Sequence, residues 1–152
     1  MVTSRTALAL IVFTQIIGAG FSLAEPANVI GNWRVEVTFG NGESRSLRFK
    51  AEESGKGSFL LLDPKLNYWG PARPSDAKWT QDAEGSVTFS GTVEFPLGNV
   101  GRDAGTLVLK GKLGTSDSIS GEAMFFRLDQ DPTDPKANPA KNGSFKAIRA
   151  AD

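Results

Sequence analysis

The chain has 152 residues, with 17 basic and 17 acidic side chains and neither cysteine nor histidine. Without cysteine there is no disulfide, thiolate nucleophile or soft-metal site, and without histidine the commonest general base and metal ligand is missing. The balanced charge leaves no electrostatic footprint for nucleic acid or for an anionic membrane surface.

Residues 1–24 read as a secretory signal peptide. Arg5 is the only charged side chain among them, Ala7 to Phe21 is mostly apolar, and Ser22-Leu23-Ala24 puts small residues where a signal peptidase reads. The apolar run is shorter than the roughly 20 residues a bilayer requires, and no cysteine follows it to carry a lipid. Cleavage after Ala24 is expected. Residues 25–152 are then a single domain, secreted or periplasmic in a bacterium, with no remaining membrane span.

From Ile30 onward the hydrophobic period is two. Trp33, Val35, Val37 and Phe39 alternate with Arg34, Glu36 and Thr38, as in a strand with one buried and one wet face. Gly40-Asn41-Gly42 is a hairpin turn, and Leu47, Phe49 and Ala51 mark a second strand. Ser54 to Gly57 turns the chain into a third, Phe59 to Leu62. Asp63 to Ser75 is an irregular loop with Pro64, Gly70, Pro71 and Pro74, and it also holds Tyr68 and Trp69. A short fourth strand surrounds Trp79. Val87, Phe89, Gly91, Val93 and Phe95 share a face of the fifth. Pro96 to Gly105 is expected to be a loop. Leu107, Leu109, Gly111 and Leu113 give a sixth strand, and Ile119, Gly121, Ala123 and Phe125 a seventh. Arg127 to Asn142 is a proline-rich loop, and Gly143 to Ala150 gives the eighth strand.

Eight alternating segments without a helical period predict an all-β, up-and-down antiparallel barrel, which removes exposed edges. A β-sandwich is the alternative. Inward glycines at 91, 111 and 121 favour the barrel: a coiled strand needs missing side chains where it bends, or a cavity needs the space.

Gly31-x-Trp33 opens the first strand, and the last carries Arg149 in Gly-Ser-Phe-x-Ala-x-Arg. This pairing resembles the calycin superfamily, which includes lipocalins and avidins. The resemblance implies that Trp33 packs across a closed barrel end behind Gly31 and that Arg149 lies over it. The second lipocalin motif and the biotin-lining residues of avidins have no counterpart here, so the resemblance implies a fold and no ligand.

A barrel mouth commonly holds a small molecule. The expected function is non-catalytic binding of a small apolar or amphipathic ligand, contacted by inward Phe49 and Phe89 and by the loop aromatics Tyr68 and Trp69. The alternative is a protein-interaction module. It would resemble the periplasmic inhibitors of secreted metalloproteases, with Glu25-Pro26-Ala27-Asn28 as the inserted tail. Asp129, Asp131 and Asp134 are spaced like calcium ligands but lack the glycine and bidentate glutamate of an EF-hand loop, so a solvated turn is expected. Glu36, Glu94 and Glu122 fall on outward parity, and no nucleophile or phosphate-loop motif is present. Neither catalysis nor a cofactor is expected.

Overall fold

The computed structural model describes residues 28–63, 71–98, 100–115 and 117–151. The signal segment and the loop aromatics Tyr68 and Trp69 lie outside the described residues. The strands are β1 (Gly31–Phe39), β2 (Ser44–Ala51), β3 (Lys56–Leu61), β4 (Ser75–Gln81), β5 (Ser86–Leu97), β6 (Gly101–Leu113), β7 (Ser118–Arg127) and β8 (Lys141–Arg149), with a 3-10 turn at Glu53–Gly55.

Each strand pairs antiparallel with the next, and β8 returns to β1, so the sheet closes as an eight-stranded barrel. The two-layer sandwich is thereby excluded. The layout is compatible with a calycin-like fold. Among the described residues no helix is long and apolar enough to cross a membrane. Outward positions carry Arg34, Glu36, Arg48, Lys50, Lys78, Lys110, Lys112 and Lys146, all exposed.

Alternation decides the core. Trp33, Val35, Val37 and Phe39 of β1, Leu47 and Phe49 of β2, and Val87, Phe89, Val93 and Phe95 of β5 are all buried, together with their counterparts on β6, β7 and β8. Phenylalanine fills the interior. Phe49 stacks on Phe89 with ring centroids 4.0 Å apart and meets Phe59 edge-on at 5.0 Å. Nearer the other end, Phe95 lies 5.5 Å from Phe125 and 6.2 Å from Phe39. Two inward glycines, Gly105 and Gly111, serve this packing, whereas Gly91 and Gly121 lie close against the adjacent strand. A Cβ on Gly111 would stand 2.8 Å from the Phe145 ring, and one on Gly105 would stand 2.5 Å from the Phe125 ring. Their missing side chains are therefore occupied by aromatic rings and are not spare volume.

One sequence expectation is corrected. Pro96 to Gly105 is not a loop: β5 continues to Leu97 and β6 begins at Gly101, with Leu97 opposite Gly101 and Pro96 opposite Arg102. Proline is tolerated on a strand edge, where its missing N–H disrupts no ladder. The β4–β5 ladder reaches only Ala77↔Gly91, so around Pro96 strand β5 has β6 on one side and is locally an edge on the other.

The barrel end around Trp33 is shut. The fully buried indole donates its Nε1–H to the Val29 carbonyl at 2.7 Å. Trp33 faces Arg149 across the β1–β8 ladder, and the guanidinium carbon lies 4.4 Å from the indole centroid. Arg149 also donates to the carbonyls of Ile30 (2.8 Å) and Asn28 (2.7 Å) and to the Asp117 carboxylate (3.1 Å). Gly31 has φ +131°, and a Cβ there would stand 2.9 Å from Arg149 Nη1. Glycine at this position thus supplies both a backbone angle other residues resist and the room for the guanidinium.

Candidate functional site

The turn at 40–43, the end of β3 and start of β4, the β5–β6 hairpin and the segment between β7 and β8 all gather at the end opposite Trp33. Three strands bring a charged residue to this end on inward parity: Arg45 precedes Leu47 and Phe49, Asp103 precedes Gly105 and Leu107, and Lys141 precedes Gly143 and Phe145. Together with Glu43 and Asp63 they form one network. Arg45 pairs with Glu43 and, at 3.4 Å, with Asp63, and it donates to the Pro96 carbonyl at 3.1 Å. Lys141 bridges Glu43 at 2.8 Å and Asp103 at 2.7 Å. The cations sit over the uppermost rings, Arg45 5.0 Å from the Phe95 centroid and Lys141 5.4 Å from that of Phe125. The mouth is therefore capped by ion pairs resting on phenylalanine.

Burial by itself would favour a neutral Glu43. The hydrogen bonds and charges of Lys141 and Arg45 outweigh it and hold the carboxylate below its ordinary value. Desolvation likewise opposes the charge on Lys141, but its bonds to Asp103 and Glu43 prevail and raise its pKa. A lowered carboxylate stabilises the fold above the ordinary value of 4.5 and loses that contribution as pH falls through the folded value. Glu43→Gln is expected to cost about 1 kcal/mol at neutral pH, as for partly exposed pairs. In urea titrations the gap between the variant and the parent should close as pH drops below 4.5. A gap that persists in acid would mean the network contributes through packing and not through charge.

Beside this cap the wall is open among the described residues. Strand β4 begins at Ser75, opposite Phe59 of β3. The reason is local: Pro71-Ala72-Arg73-Pro74 precedes it, and two prolines deny the backbone both the N–H groups and the freedom to continue the ladder. Leu60 and Leu61 of β3 and the end of β5 consequently lack a β4 partner. Ser75 closes the corner, its hydroxyl donating to the Thr92 carbonyl at 2.6 Å and lying 3.4 Å from that of Phe59.

The gap forms a cleft of about 500 Å³ lined by residues from both faces of β5. Val93 belongs to the inward face and Thr92 and Glu94 to the outward one, so the cleft crosses the wall and does not run along it. Phe59, Leu61 and Val93 contribute its apolar part, Pro71, Pro74 and Pro96 its stiff sides, and Arg73 and Arg102 its basic rim.

Of the residues singled out in the sequence, Phe49 and Phe89 are fully buried and stacked on each other in the core. Phe49 approaches the cleft only through Phe59. Gly31, Trp33 and Arg149 meet at the closed end. Trp79 is part-buried against the core, its indole donating to the Glu52 carbonyl at 2.8 Å beside the β2–β3 turn, at the end of β4 away from the loop before it. Asp131 and Asp134 are spent on their own turns, accepting from the amides of Thr133 (2.8 Å) and Lys136 (2.9 Å), and no group of metal-ligating residues is present among the described residues. Glu36, Glu94 and Glu122 are exposed on the outer wall.

Sequence reasoning missed the ion network and the cleft. The signal for the network was available: extending the inward parity of β2, β6 and β8 one step past the last apolar or glycine position reaches Arg45, Asp103 and Lys141. The cleft had a weaker signal in Pro71 and Pro74. No protein-family model matches the chain, and no curated protein matches it.

Proposed function

We propose that the protein is a secreted or periplasmic, non-catalytic binding protein of calycin-like descent that holds a small amphipathic ligand at its open end. The binding site proposed is the cleft between β3 and β5 and not the barrel axis. The carrying observation is that this cleft, of about 500 Å³, joins an apolar floor to a polar rim, within the range of small-molecule sites. The axis, by contrast, is filled with stacked phenylalanine beneath the ion-pair cap.

The test is a fluorescence titration with Nile red, a neutral dye that brightens on leaving water. Thr92→Trp puts a large side chain on an exposed position of the cleft rim without touching the core. The emission gain seen with the parent protein is expected to fall at least about tenfold in apparent affinity, the equivalent of about 1.4 kcal/mol. Unchanged dye binding would move the site elsewhere.

A second reading, a protein-binding module, draws on the apolar residues exposed around the same end: Leu97 at 45 %, Val100 at 87 % and Leu128 at 66 %. Large apolar side chains left in water on neighbouring loops suit a partner surface. Co-purification of one envelope protein with the parent, lost in Val100→Asp, would favour this reading over the ligand.

A further inference from the structure

We infer that the cleft selects anionic amphipaths, single alkyl chains with a carboxylate or phosphate head, and that Arg73 is the residue that reads the head. This inference rests on the cleft being the binding site.

The argument is one of charge complementarity. Among the described residues, three charged side chains line the cleft: Arg73, Arg102 and Glu94. Glu94 is committed to Arg102, whose Nη1 lies 2.7 Å from its carboxylate, and this bond fixes Arg102 on one side of the opening. Arg73 sits in the connecting segment before β4, is exposed, and makes no ion pair with any of the described residues. Among the described residues the rim therefore carries one uncompensated positive charge. Below it the lining turns apolar, through Leu61 and Val93 to the buried edge of Phe59.

A chain inserted tail-first would bury its methylenes against these three residues, each removed from water. Its head would be left at the rim within the basic surround. A guanidinium binds carboxylate or phosphate through two parallel N–H donors, and a partly desolvated rim strengthens that bond. A cationic head would meet Arg73 without compensation. A neutral head would gain only the burial of its tail. Pro71 and Pro74, flanking Arg73, limit the conformations its backbone must give up on binding.

The experiment is isothermal titration of the full domain with dodecanoate, dodecyl phosphate, dodecanol and dodecyltrimethylammonium, each below its micelle concentration, with acetate and inorganic phosphate as tail-less controls. Dodecanoate and dodecyl phosphate are expected to bind about tenfold more tightly than dodecanol, and the tail-less anions not to register. Arg73→Gln, at an exposed position with no ion pair to the described residues, should abolish that preference by weakening the two anionic chains far more than dodecanol. Raising salt should erode the preference in the parent only. Comparing the two anionic heads distinguishes a fatty acid from a phosphate-headed lipid as the source.

Equal binding of dodecanoate and dodecanol would overturn the inference while leaving the cleft reading in place. So would a preference that survives Arg73→Gln. If no alkyl chain binds, the cleft reading fails and takes this inference with it. If the parent sediments with anionic vesicles but binds no monomeric chain, the basic rim is a membrane contact, and the inference is wrong.

Discussion

Trp33→Ala is expected to lower the free energy of unfolding by about 3 to 5 kcal/mol, as for buried aromatic residues truncated in other cores. Three losses combine. The largest side chain at the closed end disappears from a fully buried site. The Val29 carbonyl loses its donor. Arg149 loses the ring beneath its guanidinium, a contact worth roughly 0.5 to 2 kcal/mol depending on desolvation. Relaxation cannot refill the space readily, because the chain on either side is held: Ile30 by the hydrogen bond its carbonyl accepts from Arg149, and Ala150 by the hydrogen bond its N–H donates to the Asn32 carbonyl at 2.8 Å. Trp79→Ala is the comparison, since Trp79 is only part-buried against the core and should lose markedly less. Denaturant unfolding of both variants checks this. Small, equal losses would mean that the indole does not seal the barrel.

Phe49→Ala should fall in the same range, about 3 to 5 kcal/mol, and it separates core from site. Phe49 is wholly buried, stacked on Phe89 and edge-on to Phe59, so its removal opens a void in the barrel core. The void is apolar, and voids of that kind stay dry. If ligands are held in the lateral cleft, the variant should lose stability while Nile red binding, measured without denaturant, stays largely intact. If instead the dye affinity collapses while stability holds, Phe49 is a ligand contact and the barrel axis is the binding site. Phe59 is the link between the two places, since it lines the cleft and touches Phe49. Its truncation should therefore affect both readouts.

The fate of Pro96 shows where sequence reasoning stops. A proline followed by Gly98, Gly101 and Gly105 reads as a loop, yet Leu97 pairs with Gly101 and the ladder runs unbroken to Ser86↔Lys112. What permits the strand is the absence of β4 beside it, and nothing within the segment records that absence. The prolines before Ser75 carry half of this information, because they end β4. The consequence falls on β5, many residues away in sequence. The ion network is a similar case. Lys141 meets Glu43 across a separation of 98 positions, and each residue looks like an ordinary surface charge until closure brings β8 beside β1.

By itself the sequence determined the face each strand buries, the hairpin order, the absence of histidine and cysteine chemistry, and the placement of Trp33 and Arg149 at matching ends of the first and last strands. These follow from parity, which is a property of the backbone residue by residue. Only the tertiary structure decided that Gly105 and Gly111 seat phenylalanine rings while Gly91 and Gly121 lie close against the neighbouring strand, that the mouth is capped by paired charges, and that the wall opens between β3 and β5 among the described residues. Those features depend on which strand lies beside which and where its pairing ends, and that is fixed by closure of the whole sheet.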